Sequence, residues 1–299
     1  MLVRAGALGD LLLLRRSIYA LGRAGHSVTL LAPAAPAAAL LGPGLADVAR
    51  LLPWEGAAVA DLFADEEDAP LPSALYGFDV AFAYTRSEAL VRRLRAGIRV
   101  LSHDPTPPFG GTCHASEWLS QPLVELGLLP TEGPPAAVPT EVEEQSIRPF
   151  TEQLGEGFLA VHPGSGSPRK NWPAERFEQL ATRLAKGRRW LLVRGPADEG
   201  AGRALEGAAG AVTANDLPLR SLGALLAHAG AYVGNDSGVS HLAAAWGAPT
   251  VALFGPTDPA VWSPVGASVV TLRAKDCAME SLATKAVEDA LRSVAPAFT

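Results

Sequence analysis

The sequence predicts an α/β protein built from two doubly wound domains, each with a parallel sheet. Short apolar runs bounded by turn residues alternate with segments of helical spacing along the chain. The runs "FLAVH" at 158–162 and "TVALF" at 250–254 are apolar on both faces, which is typical of strands covered by helices on each side. A stretch rich in proline and acidic residues at 129–145 resembles an interdomain linker and divides the 299 residues almost in half.

The individual elements follow from the same periodicities. Strands are predicted near 2–5, 27–32, 78–84, 98–102, 158–162, 189–194, 210–214, 231–235, 249–254 and 268–273. Helices are predicted near 10–24, 88–96, 114–127, 174–186, 199–208, 219–229 and 238–246. A last helical pattern at 278–293 could pack back across the domain boundary. We therefore expect one domain over 1–140 and a second over 141–299.

Composition narrows the function classes. The formal charge is −6, and the first half of the chain carries the whole acidic excess and no lysine, which argues against a nucleic-acid partner. The one basic cluster is interpreted as the solvated face of a helix; it comprises Arg86, Arg92, Arg93, Arg95 and Arg99. Cys113 and Cys277 lie far apart with no CxxC pattern, so we expect neither a disulfide framework nor a zinc knuckle. The leucine run after Asp10 is too short for a signal peptide, and a cytoplasmic location is expected.

The loop after the strand at 158–162 has the composition of a phosphate-binding loop. Gly164 and Gly166 would let the backbone approach an anion, Ser165 can donate a hydrogen bond, and Lys170 supplies a positive charge. The pattern GxxxxGK[ST] is absent, so this is not a Walker A motif. An ordinary strand-to-helix loop is the alternative interpretation.

A second polar segment follows the strand at 231–235. Asp236, Ser237 and Gly238 form a predicted turn, and His241 lies one turn into the next helix. Helix starts of this kind bind phosphate through free backbone N–H groups, although a helix cap and a core histidine explain the same residues. The following strand ends in "FGPTDP", which places Thr257 at the same edge of the sheet.

Asp10 follows a turn shaped by Gly6 and Gly9 and precedes four leucines. From the local sequence it is the N-cap of a helix or a general base, and neither role excludes the other. No GxGxxG follows a predicted strand, which gives little support to a nicotinamide cofactor.

Four segments together resemble the ADP-heptose:lipopolysaccharide heptosyltransferases, glycosyltransferase family 9. They are "GALGDLLLLRRSIYAL", "HPGSGSPRKNWPAERF", "GNDSGVSHLAAAWGAPTVALFGPTDP" and "CAMESLATKAVEDAL". The resemblance implies a GT-B fold with two Rossmann-like domains facing a central cleft, the first binding the acceptor and the second the nucleotide sugar. It implies inverting sugar transfer without a metal or other cofactor.

The resemblance also assigns roles by position. Asp10 matches the catalytic base, with Gly9 beside it in the first loop. The residues matched to the nucleotide-sugar site are Ser165, Gly166, Lys170, Leu217, Asp236, Ser237, Gly238 and His241, and Gly164 and Thr257 lie in the loops beside them. ADP-heptose is the implied donor, and a lipopolysaccharide-core or other surface glycan is the implied acceptor, reached at the cytoplasmic face of the inner membrane.

Three other functions stay open from the sequence. One is a transferase with another donor sugar and a different acceptor. Another is a sugar-nucleotide-binding protein of the same fold without catalysis, and the third is a nicotinamide oxidoreductase with two Rossmann domains. The oligomeric state is not indicated.

Overall fold

The computed structural model describes residues 1–42, 45–46, 48–63, 70–128, 133–195 and 200–298. Contacts between residues divide the chain into two units, Met1–Pro135 and Ala136–Thr299. The strands are β1 (Leu2–Arg4), β2 (Val28–Ala32), β3 (Val48–Pro53), β4 (Val80–Tyr84), β5 (Arg99–His103), β6 (Leu159–His162), β7 (Trp190–Arg194), β8 (Ala211–Asn215), β9 (Ala231–Asn235), β10 (Thr250–Phe254) and β11 (Val269–Arg273). The α-helices are α1 (Leu8–Leu12), α2 (Arg15–Arg23), α3 (Ala34–Ala37), α4 (Glu88–Arg95), α5 (Ala115–Trp118), α6 (Gln121–Glu125), α7 (Glu141–Leu154), α8 (Ala174–Ala185), α9 (Ala201–Ala204), α10 (Leu219–Ala227), α11 (Gly238–Ala245), α12 (Pro259–Trp262) and α13 (Thr284–Val294). Short 3-10 helices lie at Ala38–Leu40, Ala57–Phe63, Ser73–Leu75, Pro168–Lys170, Lys275–Cys277, Met279–Ser281 and Pro296–Phe298.

The described strands of the first unit form a parallel sheet in the order β3-β2-β1-β4-β5. The central strand β1 is fully buried, with Leu2 paired in register with Leu30 on one side and Phe82 on the other. Its complete burial is typical of a parallel sheet, both faces of which are covered. The register also aligns Arg4, Tyr84 and His103 at the carboxyl ends of β1, β4 and β5.

The described strands of the second unit form a parallel sheet in the order β11-β10-β9-β6-β7-β8. The order reverses direction between β6 and β9, as it does in doubly wound α/β folds. Every residue of β9 and β10 is buried, as the apolar run at 250–254 predicts. The C-terminal helix α13 packs on β9, β10, β11 and α8 within this unit.

The predicted linker at 129–145 is wrong at its C-terminal end. Helix α7 begins at Glu141 and is capped by Thr140, whose side chain accepts from Glu143 N–H while the Glu143 carboxylate accepts from Thr140 N–H at 2.8 Å. Residues 133–140 have no regular structure, and 129–132 lie outside the described residues. The prolines and acids are therefore divided between a loop and the first turn of a helix.

Two helix predictions and one missing strand are also corrected. The helix predicted over 10–24 is two helices, α1 and α2, because the chain turns at 13–14, and the helix predicted over 114–127 is split into α5 and α6 before Pro122. Strand β3 was not predicted, because it is a partly buried edge strand in which Arg50 interrupts the apolar residues. Of the helix predicted over 199–208, only α9 forms, and residue 199 lies outside the described residues.

None of the helices in the described part of the chain combines the length and the apolar character that a transmembrane span needs.

Candidate functional site

Three neighbouring strands of the second unit, β6, β9 and β10, place polar loops at one edge of the sheet. They end at His162, Asn235 and Phe254, and each is followed by one of the polar segments singled out in the sequence. The junction of β6 and β9 is the point where the strand order reverses. Ligands of open α/β sheets bind in the crevice outside the carboxyl ends of the strands at such a point.

One residue from each of these loops meets at a single carboxylate oxygen. Lys170 Nζ lies 2.7 Å from Asp236 Oδ2, and the Thr257 hydroxyl donates to the same oxygen at 2.5 Å. The Asp236 side chain is 9% exposed, whereas that of Lys170 is 28% exposed. The ammonium group of Lys170 is therefore held at the sheet edge, on the solvent side of a buried carboxylate.

The loop that carries Lys170 is clamped by Asn235, which is fully buried. Asn235 Oδ1 accepts from the Trp172 backbone N–H at 3.0 Å, and its Nδ2 donates to the Pro163 carbonyl at 2.8 Å. Both ends of the loop are thus tied to the end of β9. Ser165 Oγ lies 2.6 Å from Asn171 Oδ1, so its hydroxyl proton is used within the loop. The sequence drew attention to Ser165 as a donor, whereas the structure shows Asn235 and Asn171 setting the shape of the loop.

Helix α11 begins beside this cluster. Ser237 occupies its N-cap position without a side-chain cap, and its Oγ is buried with no hydrogen-bond partner among the residues that the structure describes. The neighbouring hydroxyl of Ser240 is satisfied, because it donates to the Asn235 carbonyl at 2.6 Å. His241 is buried on the same helix. A helix start with free N–H groups and an unused hydroxyl has the donors that bind an anion.

The loop 163–167 is open on one side. Gly164 is buried, whereas Gly166 is exposed and a Cβ placed on it would meet no atom within 4 Å. A cavity of about 460 Å³ lies beside the loop, lined in part by Ser165, Gly166, Trp172 and Ala201.

Leu217 is not brought to the Lys170 cluster, because it follows β8 at the far edge of the sheet.

Asp10, in the first unit, is the third residue of α1 and not its N-cap, so the N-cap interpretation is wrong. The carboxylate reaches back to the start of the helix, where Asp10 Oδ2 accepts from the Ala7 N–H at 3.0 Å. Gly6 has φ +145°, and a Cβ on it would lie 2.7 Å from Asp10 Cβ. The glycine predicted to shape this turn is therefore required by the space that Asp10 occupies. Gly9 is the second residue of the same helix.

The buried side chain of Arg4 fixes the position of Asp10. Its guanidinium is 2% exposed and donates to Asp10 Oδ1 at 3.0 Å, to the Asp10 carbonyl at 3.2 Å and to the Pro105 carbonyl at 3.0 Å. Burial lowers the pKa of Arg4, and Asp10 opposes that effect. Arg4 was not predicted as a functional residue from the sequence. A single charged residue at the end of an apolar strand indicates a buried ion pair, and this pattern could have identified it.

The result is a carboxylate fixed by two donors and still 36% exposed at the carboxyl edge of the first sheet. A carboxylate in this position can accept a proton from a hydroxyl group in contact with it. Among the residues described, no three His, Cys, Asp or Glu side chains come close enough together to hold a metal ion.

The sequence of the chain is similar to those of known proteins. A sequence model of glycosyltransferase family 9 (heptosyltransferase) matches residues 129–291. Lipopolysaccharide heptosyltransferase 1 of Pseudomonas aeruginosa is 37% identical over 123 residues, which are 40% of this chain. The matched stretch spans about a third of the length of that relative, 34%.

Solved structures share the fold over nearly the whole chain. A glycosyl transferase of family 9 from Veillonella parvula superposes with a TM-score of 0.79 at 19% identity, covering 99% of this chain and 96% of the other. The E. coli heptosyltransferase WaaC with ADP superposes with a TM-score of 0.71 at 22% identity, covering 98% and 99%. The predicted α/β fold of the GT-B class, with two doubly wound parallel sheets, is confirmed.

Proposed function

This chain belongs to glycosyltransferase family 9, and we propose that it is an inverting, metal-independent transferase that moves a sugar from a nucleoside diphosphate sugar to a glycan hydroxyl. ADP-heptose is the proposed donor, because the similar proteins are named heptosyltransferases and one of the similar structures holds ADP. The proposed acceptor is a lipopolysaccharide-core or other surface glycan. If the acceptor is a glycolipid, the protein works in peripheral contact with the cytoplasmic face of the inner membrane.

The observation that carries the proposal is the cluster of Lys170, Asp236 and Thr257 at the point where the strand order of the second sheet reverses. A diphosphate bound there would contact the Lys170 ammonium and the first N–H groups of α11, beginning at Gly238. The buried Ser237 hydroxyl would gain the partner that it lacks among the described residues. Ser165, Gly166 and the buried Gly164 would supply the backbone facing the diphosphate; His241 and, farther along the sheet edge, Leu217 complete the proposed donor site.

The proposed chemical step uses Asp10 of the first unit and the cluster around Lys170 of the second unit. Asp10 accepts the proton of the acceptor hydroxyl as its oxygen bonds to the anomeric carbon, and the bond from that carbon to the diphosphate oxygen breaks. The electron pair leaves with the nucleoside diphosphate, and attack opposite the leaving group inverts the anomeric centre. Lys170 and the start of α11 stabilise the charge that develops on the diphosphate, which is the work a divalent cation would otherwise do.

Thermal unfolding in the presence of EDTA tests the donor site. We would compare ADP, UDP, GDP, CMP and NAD on the native chain, on Lys170→Ala and on Lys285→Ala, a matched control whose lysine is exposed and pairs with Asp289. A ligand at 100 times its Kd adds about 2.7 kcal/mol of stability, which at ~2–4 °C per kcal/mol raises the Tm by about 5–10 °C.

We expect ADP to stabilise the native chain and Lys285→Ala, and to stabilise Lys170→Ala much less. Loss of one charge-assisted contact to phosphate should weaken ADP binding by about 10- to 100-fold. If none of the nucleotides raises the Tm of the native chain, or if ADP does so only after a divalent cation is added, the proposed function is wrong in its donor or its metal independence.

A further inference from the structure

A tight turn after β5 presents the most exposed large apolar side chain that the structure describes. The ring of Phe109 is fully exposed (108%), so no residue in the described part of the chain covers it. The Gly111 N–H donates to the Pro108 carbonyl at 3.1 Å, and Gly110 has φ +77°, as the third position of a type II turn requires. We call residues 108–111 the Phe109 turn. The sequence Pro-Phe-Gly-Gly therefore holds the ring away from the rest of the unit.

The loop that carries the Phe109 turn has no charged side chain. Residues 105–113 read PTPPFGGTC. A single exposed apolar residue is ordinary on a protein surface. Phe109 differs because the turn holds it in place, without a charged neighbour in the loop, at the edge of the sheet that carries Asp10.

Both ends of this loop are fixed by hydrogen bonds. At its start, the Pro105 carbonyl accepts from Arg4 at 3.0 Å. At its end, the His114 ring caps α5 and accepts from the Ser116 N–H at 3.2 Å. A loop that is held at both ends loses little conformational entropy when its tip is ordered at an interface, which raises the affinity that the tip contributes.

The Phe109 turn is connected to Asp10 through Arg4. The Arg4 guanidinium donates to the Pro105 carbonyl and to the Asp10 carboxylate, each at 3.0 Å. Pro105 and Phe109 are four positions apart, so at most about 14 Å separates their Cα atoms. Helix α1 follows β1 and the turn follows β5, so both lie at the carboxyl edge of the first sheet. A surface in contact with Phe109 therefore lies at the edge where an acceptor hydroxyl must reach Asp10.

The shape of the Phe109 turn favours a fluid apolar partner over a protein surface. A specific protein interface buries roughly 800 Å² on each side and has an apolar core of several residues. Here one ring projects from a narrow turn, and the residues that follow it are two glycines and a threonine. Acyl chains can close around a single ring, whereas a protein partner would need a pocket of matching shape.

Electrostatic attraction gives this unit little hold on an anionic membrane. The first half of the chain carries the whole acidic excess of the protein and contains no lysine. The basic cluster offsets this only in part, because Arg93 is buried and donates to the Asp61 carbonyl, and Arg86 is paired with Asp104. The interpretation of the cluster as a solvated helix face is therefore wrong for Arg93. Insertion of an apolar ring does not depend on the surface charge.

We propose that Phe109 inserts into the interface of a lipid bilayer and so holds Asp10 at the height where it meets the hydroxyl of an acceptor embedded in that bilayer. This inference rests on the proposed function and adds a partner to it: the acceptor is a glycolipid, presented from a lipid surface that the first unit contacts. One ring gives weak and reversible binding, so the bound acceptor supplies the second attachment.

Flotation with vesicles tests the insertion and needs no turnover. The chains are the native one, Phe109→Ser, Phe109→Trp and Tyr76→Ser. Tyr76 is the matched control, because it is an aromatic residue with 64% exposure that precedes β4, at the opposite edge of the same sheet. Each chain is mixed with phosphatidylcholine vesicles that contain or lack phosphatidylglycerol, at low and at high NaCl concentration.

We expect Phe109→Ser to lower the partition coefficient about 10-fold at both salt concentrations, since the transfer of an aromatic side chain is lost. Phe109→Trp and Tyr76→Ser should partition as the native chain does, with or without phosphatidylglycerol. With brominated phosphatidylcholine, the tryptophan fluorescence of Phe109→Trp should be quenched more than that of the native chain.

Steady-state kinetics tests whether the insertion positions Asp10. Heptose-deficient lipopolysaccharide is supplied with ADP-heptose, either in phosphatidylcholine vesicles or de-acylated in solution. Phe109→Ser should raise the KM for the vesicle-embedded acceptor about 10-fold and leave the KM for the de-acylated acceptor and both kcat values unchanged. A structural defect in Phe109→Ser would change the kinetics of both acceptors alike.

The two proposals fail separately. The inference is wrong if the native chain does not float, if high salt abolishes its flotation, or if Phe109→Ser floats like Tyr76→Ser; turnover of the de-acylated acceptor then still supports the proposed function. If Phe109→Ser changes the oligomeric state seen by light scattering and not the flotation, Phe109 contacts a second copy of the chain instead. If none of the chains binds ADP or turns over either acceptor, the proposed function itself fails, whatever the vesicles bind.

Discussion

Arg4 and Asp10 form an ion pair that joins the interior of the first unit to its surface. Arg4 Nη2 lies 3.0 Å from Asp10 Oδ1, with the arginine 2% exposed and the aspartate 36% exposed. Because the same guanidinium also donates to the Asp10 and Pro105 carbonyls, the carboxylate is fixed relative to both α1 and the loop after β5. A carboxylate that is immobile and accessible meets the geometric requirement for a general base.

Replacing Asp10 with Asn should slow turnover strongly and leave donor binding intact. The amide has nearly the same size but cannot take the acceptor proton, so we expect kcat to fall by about 10²–10⁴-fold. The measurement is ADP release from ADP-heptose with a heptose-deficient lipopolysaccharide core, together with the Kd for ADP. Asp79→Asn is the matched control, since Asp79 is exposed at the opposite, amino-terminal edge of the same sheet. Turnover of Asp10→Asn equal to that of the control would remove Asp10 from the mechanism.

Arg4→Lys should slow the reaction by displacing Asp10. Lysine keeps the charge but cannot donate to the Asp10 carboxylate and to two carbonyls together. We therefore expect kcat to fall about 10-fold and the free energy of unfolding to decrease by about 1–3 kcal/mol. KM for the donor should not change. The decisive readout is a double-mutant cycle, because a positioning residue has no effect once Asp10 is Asn. Equal slowing of the native and the Asp10→Asn backgrounds by Arg4→Lys would contradict the positioning role.

The fold could be predicted from the sequence because most strands are buried on both faces and read as apolar runs, as β10 does. The elements that were missed lack such a signal or contain a conflicting one. Strand β3 lies at the edge of its sheet and is only partly buried, and the first turn of α7 is acidic and follows prolines. The capping pair Thr140 and Glu143 was the local signal that α7 begins there.

Lys170, Asp236 and Thr257 of the proposed donor site could be singled out because each lies in a polar segment that follows a strand. Parallel strands bring such loops to one edge, and the structure shows Lys170, Asp236 and Thr257 in contact there. The partners of Asp10 were not predictable in this way. Arg4 reaches Pro105, which is 101 positions away, and that contact depends on the pairing of β1, β4 and β5.

Ser237→Ala should weaken ADP binding and leave the stability of the free protein unchanged. The Ser237 Oγ has no partner in the described part of the chain, so its removal breaks no bond there. Loss of a hydrogen bond to the diphosphate should raise the Kd for ADP by about 2- to 12-fold. Ser240→Ala is the contrasting variant, because its hydroxyl donates to the Asn235 carbonyl and contacts the Tyr232 hydroxyl.

For Ser240→Ala we expect a loss of about 1–3 kcal/mol in the free energy of unfolding, since buried partners are left unsatisfied. Titration calorimetry and thermal unfolding of both variants make the comparison. A Ser237→Ala chain that is destabilised as much as Ser240→Ala, with unchanged affinity for ADP, would show that the hydroxyl has a structural partner and no ligand.

Arg86→Gln should change how Asp104 titrates. Hydrogen bonds, first from the Arg86 guanidinium and then from Thr106, lower the pKa of the Asp104 carboxyl from 3.8 to about 2. A carboxyl whose pKa is depressed in the folded state contributes stability above its unfolded pKa, and that contribution is lost as the pH falls from about 4 to about 2. In Arg86→Gln the pKa should return toward 3.8, and the difference in stability between the two chains should be full at pH 6, shrink as the pH falls below about 4, and vanish only below about pH 2. NMR titration of the Asp104 carboxyl carbon and unfolding at a series of pH values measure both effects. A carboxyl that still titrates at about 2 without Arg86 would show that Thr106, the other donor to Asp104, holds it unaided.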